Sequence, residues 1–170
     1  MGLDLGQSQD FTALAILERT ELTGAWDAAI YAYRKMAALR LRYLERVPLG
    51  TTYPEVVARV REVTRSAELR GCCELVVDAT GVGRPVVDLL RSADLDCRIV
   101  PAVITGGDAE SNRNGYFYVP KRDVIVGLQV LLQRGGLQIA GGMTFGGTLT
   151  EEMVHMQVRQ KASGHEQYGA

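Results

Sequence analysis

Two aspartates in this chain lie at strand positions that are otherwise apolar. Asp4 interrupts the strand pattern that begins at Gly2, and Asp78 closes the apolar run Leu75-Val76-Val77. An isolated charge in a central strand is too costly to leave uncompensated, so each carboxylate must be paired, hydrogen-bonded or bound to a metal. If the two strands are neighbours in one sheet, both carboxylates converge on one point. Two convergent carboxylates are typical of a divalent-metal site.

Asp10 is a third candidate for the same site. Gly6 allows a tight turn after the first strand, and Asp10 lies just beyond that turn, where it can reach the metal directly or through water. The alternative for Asp10 is an Asx turn, and for Asp4 it is a turn-capping role. All-oxygen ligation suits Mg²⁺, and Mn²⁺ is expected to substitute for it.

A carboxylate cage of this kind is suited to phosphodiester hydrolysis. The reaction builds charge on both the attacking and the leaving oxygen. Two divalent ions about 3.5–4 Å apart stabilise both charges and lower the pKa of the attacking water. The carboxylates would therefore make the chain a metal-dependent nuclease.

Glycines between a strand and a helix also raise the question of a dinucleotide site. Gly81-Val82-Gly83 has that position, but the third glycine of the fingerprint would fall at Val86, and Asp78 would repel the phosphates. The sequence contains no Gly-x-x-x-x-Gly-Lys-Ser/Thr motif, so it lacks the phosphate-binding loop of an ATPase. Dinucleotide binding is disfavoured.

Composition limits the class of protein. The chain has 170 residues, of which 46% are hydrophobic, and its formal net charge is -1. This length predicts one domain, residues 1–170, with a real core. The near-neutral charge predicts that any DNA contact comes from a local patch. Three cysteines without metal-ligand spacing, and the lack of a signal peptide or a membrane-spanning run, predict a reducing cytoplasm and no membrane partner.

Four basic residues are candidates for such a DNA-binding patch: Arg84, Arg113, Lys121 and Arg122. Lys121 and Arg122 lie at a predicted helix start, where cations gain nothing from the helix dipole, so a phosphate contact would explain them. A solvated helix end is the alternative.

Hydrophobic periodicity predicts three strands and a helix in the first half of the chain. Thr51 or Thr52 caps the helix, with Pro54 and Glu55 in its first turn, and the helix ends near Gly71. The first strand begins at Gly2, the second spans Thr12–Leu17 and the third begins at Leu39. A polar turn is predicted at Glu18–Gly24, and the stretch Ala25–Ala38 is unassigned.

Strand and helix patterns alternate in the second half. The strand ending at Asp78 and the next strand are joined by a helix, which implies a right-handed parallel crossover. The predicted elements are a helix from Arg84, a strand Cys97–Ala102, an exposed loop Val103–Gly115, a strand Tyr116–Val119, a helix Pro120–Arg134, a strand Leu137–Ile139, a helix Thr148–Val158 and a polar tail Lys161–Ala170 without a closing element.

This order predicts an α/β fold of the ribonuclease H-like type. Its mixed sheet has three antiparallel strands followed by parallel strand-helix units. In that fold the first and fourth strands are neighbours, so Asp4 and Asp78 face each other across them.

Four segments together resemble the nuclease domain of the large terminase subunit of tailed bacteriophages and prophages. The resemblance implies a ribonuclease H-like, two-metal endonuclease that cuts concatemeric viral DNA during packaging. It also implies that Asp4 and Asp78 are catalytic metal ligands, with Asp10 as an additional one. The segments are Asp4 to Asp10, Leu75 to Gly83, Val119 to Asp123 and Leu128 to Leu132.

The same resemblance implies partners and a location. The partners are double-stranded DNA, the terminase ATPase domain, the small terminase and the portal, in the cytoplasm of the bacterial host. The motor domain is absent from this chain, so translocation is not expected of it. The third acidic position of the family follows a Gly-His-x-x-Tyr-Gly-Ala segment, here Gly164 to Ala170, where the sequence stops. The metal cage is therefore expected to lack one ligand.

Two functions of other classes compete with the nuclease. A catalytically idle docking module would offer only a surface to motor or portal proteins. A nucleotide-binding domain of the actin and sugar-kinase type also begins with an Asp-x-Gly strand, but it needs a second lobe to clamp ATP.

Overall fold

The computed structural model describes residues 1–6, 10–81, 83–155, 157–160 and 166–169. These residues form ten strands and four helices. Within them, no helix combines the length and the apolar character that a membrane crossing requires. The strands are β1 (Gly2–Asp4), β2 (Thr12–Asp27), β3 (Ala32–Val47), β4 (Cys73–Asp78), β5 (Cys97–Thr105), β6 (Ser111–Arg113), β7 (Tyr116–Pro120), β8 (Leu137–Ile139), β9 (Gln157–Gln160) and β10 (Glu166–Gly169). The helices are α1 (Tyr53–Thr64), α2 (Gly83–Ser92), α3 (Lys121–Gln133) and α4 (Gly146–His155).

Eight strands form one mixed sheet in the order β6-β7-β5-β4-β1-β2-β3-β8, and β9 pairs with β10 separately. The predicted α/β class with a mixed sheet is confirmed. The chain divides into two compact units. The first unit comprises Met1–Ala15 and Glu45–Lys121, and the second comprises Ile16–Leu44 and Arg122–Ala170.

In the first unit, β1 pairs antiparallel with the start of β2 and parallel with β4. Strands β4, β5 and β7 continue the sheet in parallel, and β6 joins β7 antiparallel. Alternate residues of these strands are buried, among them Leu3, Leu14 and Val77. Helix α2 packs through the buried Val87 against Tyr116. The buried side of α2 comprises Val86, Val87 and Leu90, and Leu89 is exposed.

Helix α1 begins as its sequence predicts. The backbone N–H of Thr52 donates to the Glu55 carboxylate over 2.8 Å, which is one half of a capping box, and Pro54 lies in the first turn. The helix ends at Thr64, whose hydroxyl donates to the Arg61 carbonyl over 3.1 Å. The predicted end near Gly71 is wrong, because turns occupy the residues between Thr64 and β4.

The segment predicted as a loop between Val103 and Gly115 contains two strand segments. β5 continues to Thr105, and β6 forms a hairpin with β7. The two turn residues, Asn114 and Gly115, have φ of 53° and 78°. Positive φ at both positions is typical of a type I′ turn, which matches the twist of a two-stranded hairpin.

In the second unit, β2 and β3 form a long hairpin, so the predicted polar turn at Glu18–Gly24 is wrong. Its acidic residues pair with cations of β3 instead of ending the strand. Glu18 accepts a hydrogen bond from Arg42 over 2.7 Å, and Glu21 lies 2.9 Å from Lys35. The turn follows Asp27, whose carboxylate accepts the Ala29 N–H over 2.9 Å. The third strand accordingly begins at Ala32 and not at Leu39.

The remaining elements of the second unit match the predictions in part. β8 pairs in parallel with β3, with Leu39 opposite Leu137. Helix α3 buries Ile125, whereas Val124 and Leu132 are exposed. Helix α4 ends at His155 instead of Val158.

The tail Lys161–Ala170 was predicted to contain no closing element. This prediction is wrong for Glu166–Gly169, which form β10 and pair with β9. The other residues of that tail, 161–165 and 170, lie outside the described residues.

Candidate functional site

Asp4 and Asp78 lie opposite each other on neighbouring strands of the first unit. β1 and β4 are parallel, and their register pairs Leu3 with Val77 and Asp4 with Asp78. Residues paired across a sheet project from the same face, and neighbouring strands are about 4.8 Å apart. Both carboxylates therefore leave one face of the sheet at the last residues of their strands. The prediction that the first and fourth strands are neighbours is confirmed.

Strand periodicity explains why these carboxylates are accessible. Leu3 and Val77 precede them by one residue, project from the opposite face and are 2% and 0% exposed. Side chains alternate between the two faces, so burying that apolar pair places the aspartates on the other side. Asp4 is exposed and Asp78 is half-buried. The apolar row thus holds the two acidic positions in register.

The segment around Gly6 brings Asp10 toward the first strand. The Gly6 N–H donates to the Thr12 hydroxyl over 3.1 Å. A Cβ atom at Gly6 would lie 2.1 Å from the Asp10 carbonyl oxygen, closer than any side chain tolerates. Only glycine fits this close backbone approach. Asp10 lines a cleft with Gly6 and Thr12, and the other residues of that cleft are Pro48, Leu49, Gly50, Thr51, Thr52, Tyr53 and Pro54.

The charges of two other aspartates act on the Asp4 carboxylate. The pKa of Asp4 is raised, first because protein atoms remove part of the hydration of its carboxylate, and then because of the charges of Asp78 and Asp10. Asp4 still has an exposed surface, so this desolvation is partial. Among the described residues, neither Asp4 nor Asp78 has a cationic partner. Negative charge is therefore concentrated here without a compensating cation among the described residues.

Hydrogen bonds fix the backbone that follows Asp78. The N–H of Thr80 donates to one Asp78 carboxylate oxygen over 2.8 Å, which is the geometry of an Asx turn. The Thr80 hydroxyl in turn accepts the N–H of Ile104 over 2.7 Å. Asp78 is thus tied through Thr80 to the neighbouring strand β5.

This donor set fits a hard divalent cation. Ionised carboxylates are acceptor-only oxygen ligands, and an incoming cation would relieve their mutual repulsion. In the part of the chain that the structure describes, no three His, Cys, Asp or Glu side chains form a group that could hold a metal ion. Two of the predicted ligands, Asp4 and Asp78, are brought together. A ligand role for Asp10 stays a prediction.

The predicted DNA-binding residue Arg113 does not share a face with Asp78. Asp78 is in register with Ala102, which is in register with Phe117 of β7, so these three project from one face. Tyr116 precedes Phe117 and is in register with Arg113 of β6. Arg113 therefore projects from the opposite face.

The other three predicted DNA-binding residues lie on helices. Arg84 is in the first turn of α2, which packs against the Tyr116 face. Lys121 and Arg122 begin α3, and the Arg122 guanidinium lies 3.5 Å from the Asp123 carboxylate. Their role in DNA binding stays a prediction.

Sequence reasoning missed Thr12 and Thr80, which position the backbone around the aspartates. Both carry a hydroxyl two residues after an aspartate, which is a readable signal for a local turn. Their long-range partners, however, depend on strand pairing.

No family model matches this chain, and neither a curated protein nor a solved structure is significantly similar to it. What the site does is therefore inferred from its geometry and chemistry.

Proposed function

We propose that this chain is a ribonuclease H-like endonuclease domain of the terminase large-subunit type. It would hydrolyse phosphodiester bonds of double-stranded DNA with Mg²⁺ or Mn²⁺. The proposal rests on one observation: Asp4 and Asp78 are in register on adjacent parallel strands. Neither has a cationic partner among the described residues.

The strand order supports the proposed fold type. A central β1 lies between β2, which it pairs antiparallel, and β4, which it pairs in parallel. Strand β3 flanks β2, and β5 flanks β4. This is the arrangement expected of a ribonuclease H-like sheet, with β6, β7 and β8 added at its edges.

The chain's own residues would bind and orient the cation. Asp4 and Asp78 would supply carboxylate oxygens, and the Asx turn at Thr80 would limit rotation of the Asp78 side chain. Asp10 would act directly or through a water molecule. The chemistry that a divalent cation held by these residues would supply is stabilisation of charge on the attacking and leaving oxygens of a phosphodiester and a lower pKa of water.

By the resemblance, the same domain would act in packaging of viral DNA. Its partners would be a terminase ATPase domain, the small terminase and the portal, in the bacterial host cytoplasm.

Plasmid nicking tests the proposed chemistry. Supercoiled plasmid is incubated with the chain in Mg²⁺, Mn²⁺ or EDTA, and relaxed circles are quantified over time. Wild type is expected to nick only with a divalent cation, and Asp4→Asn and Asp78→Asn are expected to be inactive.

Asp94→Asn is the matched control. Asp94 is an exposed carboxylate with φ of 51°, a conformation that asparagine also adopts readily. This variant should nick at the wild-type rate. If folded wild type leaves the plasmid intact with both cations, the endonuclease proposal fails, and the docking module becomes the better explanation.

A further inference from the structure

Three arginines lie over two tyrosines of β7 that share one face of the sheet. The guanidinium carbons of Arg84 and Arg91 lie 6.0 and 5.7 Å from the ring centroid of Tyr116. That of Arg113 lies 5.8 Å from the ring centroid of Tyr118. Tyr116 and Tyr118 are two residues apart and project from one face of the sheet. These five side chains are called the arginine–tyrosine surface below.

The positive charge of this surface is mostly uncompensated. Arg91 lies 3.5 Å from the Asp88 carboxylate, at the long end of an ion pair. Arg84 and Arg113 have no carboxylate partner among the described residues. Like charges that gather in this way repel, so the arrangement costs free energy unless an anion joins it.

Stacking prepares the arginines to bind an anion. A guanidinium that lies over an aromatic ring is held by the ring's negative face, while its N–H edges stay free to donate. All three arginines are exposed. A planar fork of donors matches the oxygens of a phosphate group.

Tyr116 also carries an unused donor. The residue is 8% exposed, and its hydroxyl is buried without a hydrogen-bond partner in the described part of the chain. A buried hydroxyl without a partner is uncommon, because it loses its hydration and gains nothing in return. The side chain under Arg84 and Arg91 thus has an unsatisfied polar group.

We propose that the arginine–tyrosine surface binds the phosphate groups of a nucleic-acid backbone, on the sheet face opposite Asp4 and Asp78. The choice of nucleic acid among phosphate-bearing ligands rests on the proposed function. The surface is a second contact, separate from the acidic pair, that retains DNA without taking part in cleavage.

Fluorescence anisotropy with a labelled DNA duplex in EDTA tests this inference. Arg84→Ala/Arg113→Ala is expected to bind at least about tenfold more weakly than wild type, because two charge-assisted contacts are lost. The slope of log K against log salt should fall by about 2, since each phosphate contact contributes roughly 0.9. Arg84→Lys/Arg113→Lys should keep most of the salt slope but lose affinity, because it retains the charge without the fork.

Arg61→Ala/Arg65→Ala is the matched control, since both residues lie at the end of α1 and it removes the same charge. It should bind within about twofold of wild type. Equal losses in the two double variants would overturn the inference, because net charge alone would then explain binding. Circular dichroism and thermal melts verify that each variant is folded.

Inorganic phosphate at matched ionic strength is the second arm. If phosphate displaces DNA no more strongly than chloride does, the result supports a contact with the nucleic-acid backbone. Stronger displacement by phosphate would assign the surface to a free phosphate group and overturn the nucleic-acid assignment.

Failure of this inference is distinguishable from failure of the proposed function. If Arg84→Ala/Arg113→Ala binds like wild type while Asp78→Asn still abolishes nicking, the second surface is wrong and the endonuclease stands. If wild type does not nick but Arg84→Ala/Arg113→Ala loses DNA binding, the endonuclease proposal is wrong and the second surface stands.

Discussion

Two regions of the first unit collect like charges, and they do so by different means. The acidic pair, Asp4 and Asp78, is placed by strand register above a buried apolar row. The arginines of the arginine–tyrosine surface come from a helix and a hairpin and rest on tyrosine rings. One region is held by the backbone and the other by side-chain stacking. A backbone-held pair suits a small ion that demands fixed geometry, whereas stacked arginines can adapt to a flexible polyanion.

Both regions store unfavourable free energy in the ligand-free protein. Two unit charges 4 Å apart interact by about 1 kcal/mol in water and by more where protein excludes solvent. A ligand of the opposite sign removes that cost when it binds. The sign of each region therefore indicates its ligand: a divalent cation at the acidic pair and phosphate at the arginines.

The sharpest test of the comparison is whether the two regions can be disabled separately. Asp78→Asn should reduce Mn²⁺-dependent nicking by about 100-fold or more, because stabilisation of the transition-state charge is lost. Its affinity for duplex DNA in EDTA should stay at least that of wild type, because a negative charge has been removed. Nicking rates and anisotropy are measured on the same preparations. A parallel loss of both activities would show one combined site.

Gly6→Ala should disturb the backbone beside the acidic pair. The new Cβ would lie 2.1 Å from the Asp10 carbonyl oxygen, so the backbone must move. We expect a loss of about 2–3 kcal/mol in the free energy of unfolding, measured by urea denaturation. Gly2→Ala is the control, because nothing lies within 4 Å of its Cβ position. Equal stabilities would mean that Gly6 is not needed for this close approach.

Thr80→Ala tests how firmly Asp78 is held. The substitution leaves the Ile104 N–H without its acceptor at 2.7 Å and should cost about 1–2 kcal/mol. Nicking should fall several-fold because the Thr80 backbone, whose N–H holds the Asp78 carboxylate, loses its side-chain anchor to β5, and Thr80→Ser should restore both properties. A stability loss with an unchanged nicking rate would show that Thr80 does not position the carboxylate.

Tyr116→Phe, in the arginine–tyrosine surface, should increase stability, whereas the two preceding substitutions decrease it. Removing a buried hydroxyl that has no described partner should raise the free energy of unfolding by about 1 kcal/mol in the absence of DNA. Tyr118→Phe, at a half-buried ring on the same face, serves as the control and should change little. A destabilised Tyr116→Phe would mean that the hydroxyl is satisfied in solution.

The acidic pair was predictable from sequence because each aspartate closes a short apolar pattern, and strand order then makes the two strands neighbours. The capping box at Thr52 and Glu55 was predictable for a similar reason: its residues are local. Signals that act within a few residues do not depend on the rest of the fold.

Local sequence signals did not predict the long β2–β3 hairpin. They also did not predict from which face of the sheet Arg113 projects. Glu18 and Glu21 look like turn residues until their cationic partners on β3 are known. The face of Arg113 depends on register, and a shift of one residue would reverse it. Asn114-Gly115 is a hairpin signal in its own right, but the polar composition around it favoured a loop.

The smallest expected effect is the dependence of stability on pH at Asp4. Its pKa is raised above the usual 3.8 by partial desolvation and by the charges of Asp78 and Asp10. In the pH window between the unfolded and the raised folded pKa, the folded state binds more protons, so wild-type stability falls as pH rises through that window and stays lower above it. Asp4→Asn removes this ionisation. Without metal, it should match wild type below about pH 4 and exceed it at neutral pH by about 1 kcal/mol or less, since Asp4 is exposed.

Thermal melts across pH measure this difference, which corresponds to a shift of about 2–4 °C per kcal/mol for a chain of this size. Asp94→Asn provides the comparison, because Asp94 is an exposed ion-pair partner of Arg65. Saturating Mn²⁺ should reverse the order at neutral pH, because wild type gains binding free energy that Asp4→Asn lacks. If Mn²⁺ stabilises both proteins equally, Asp4 is not a ligand.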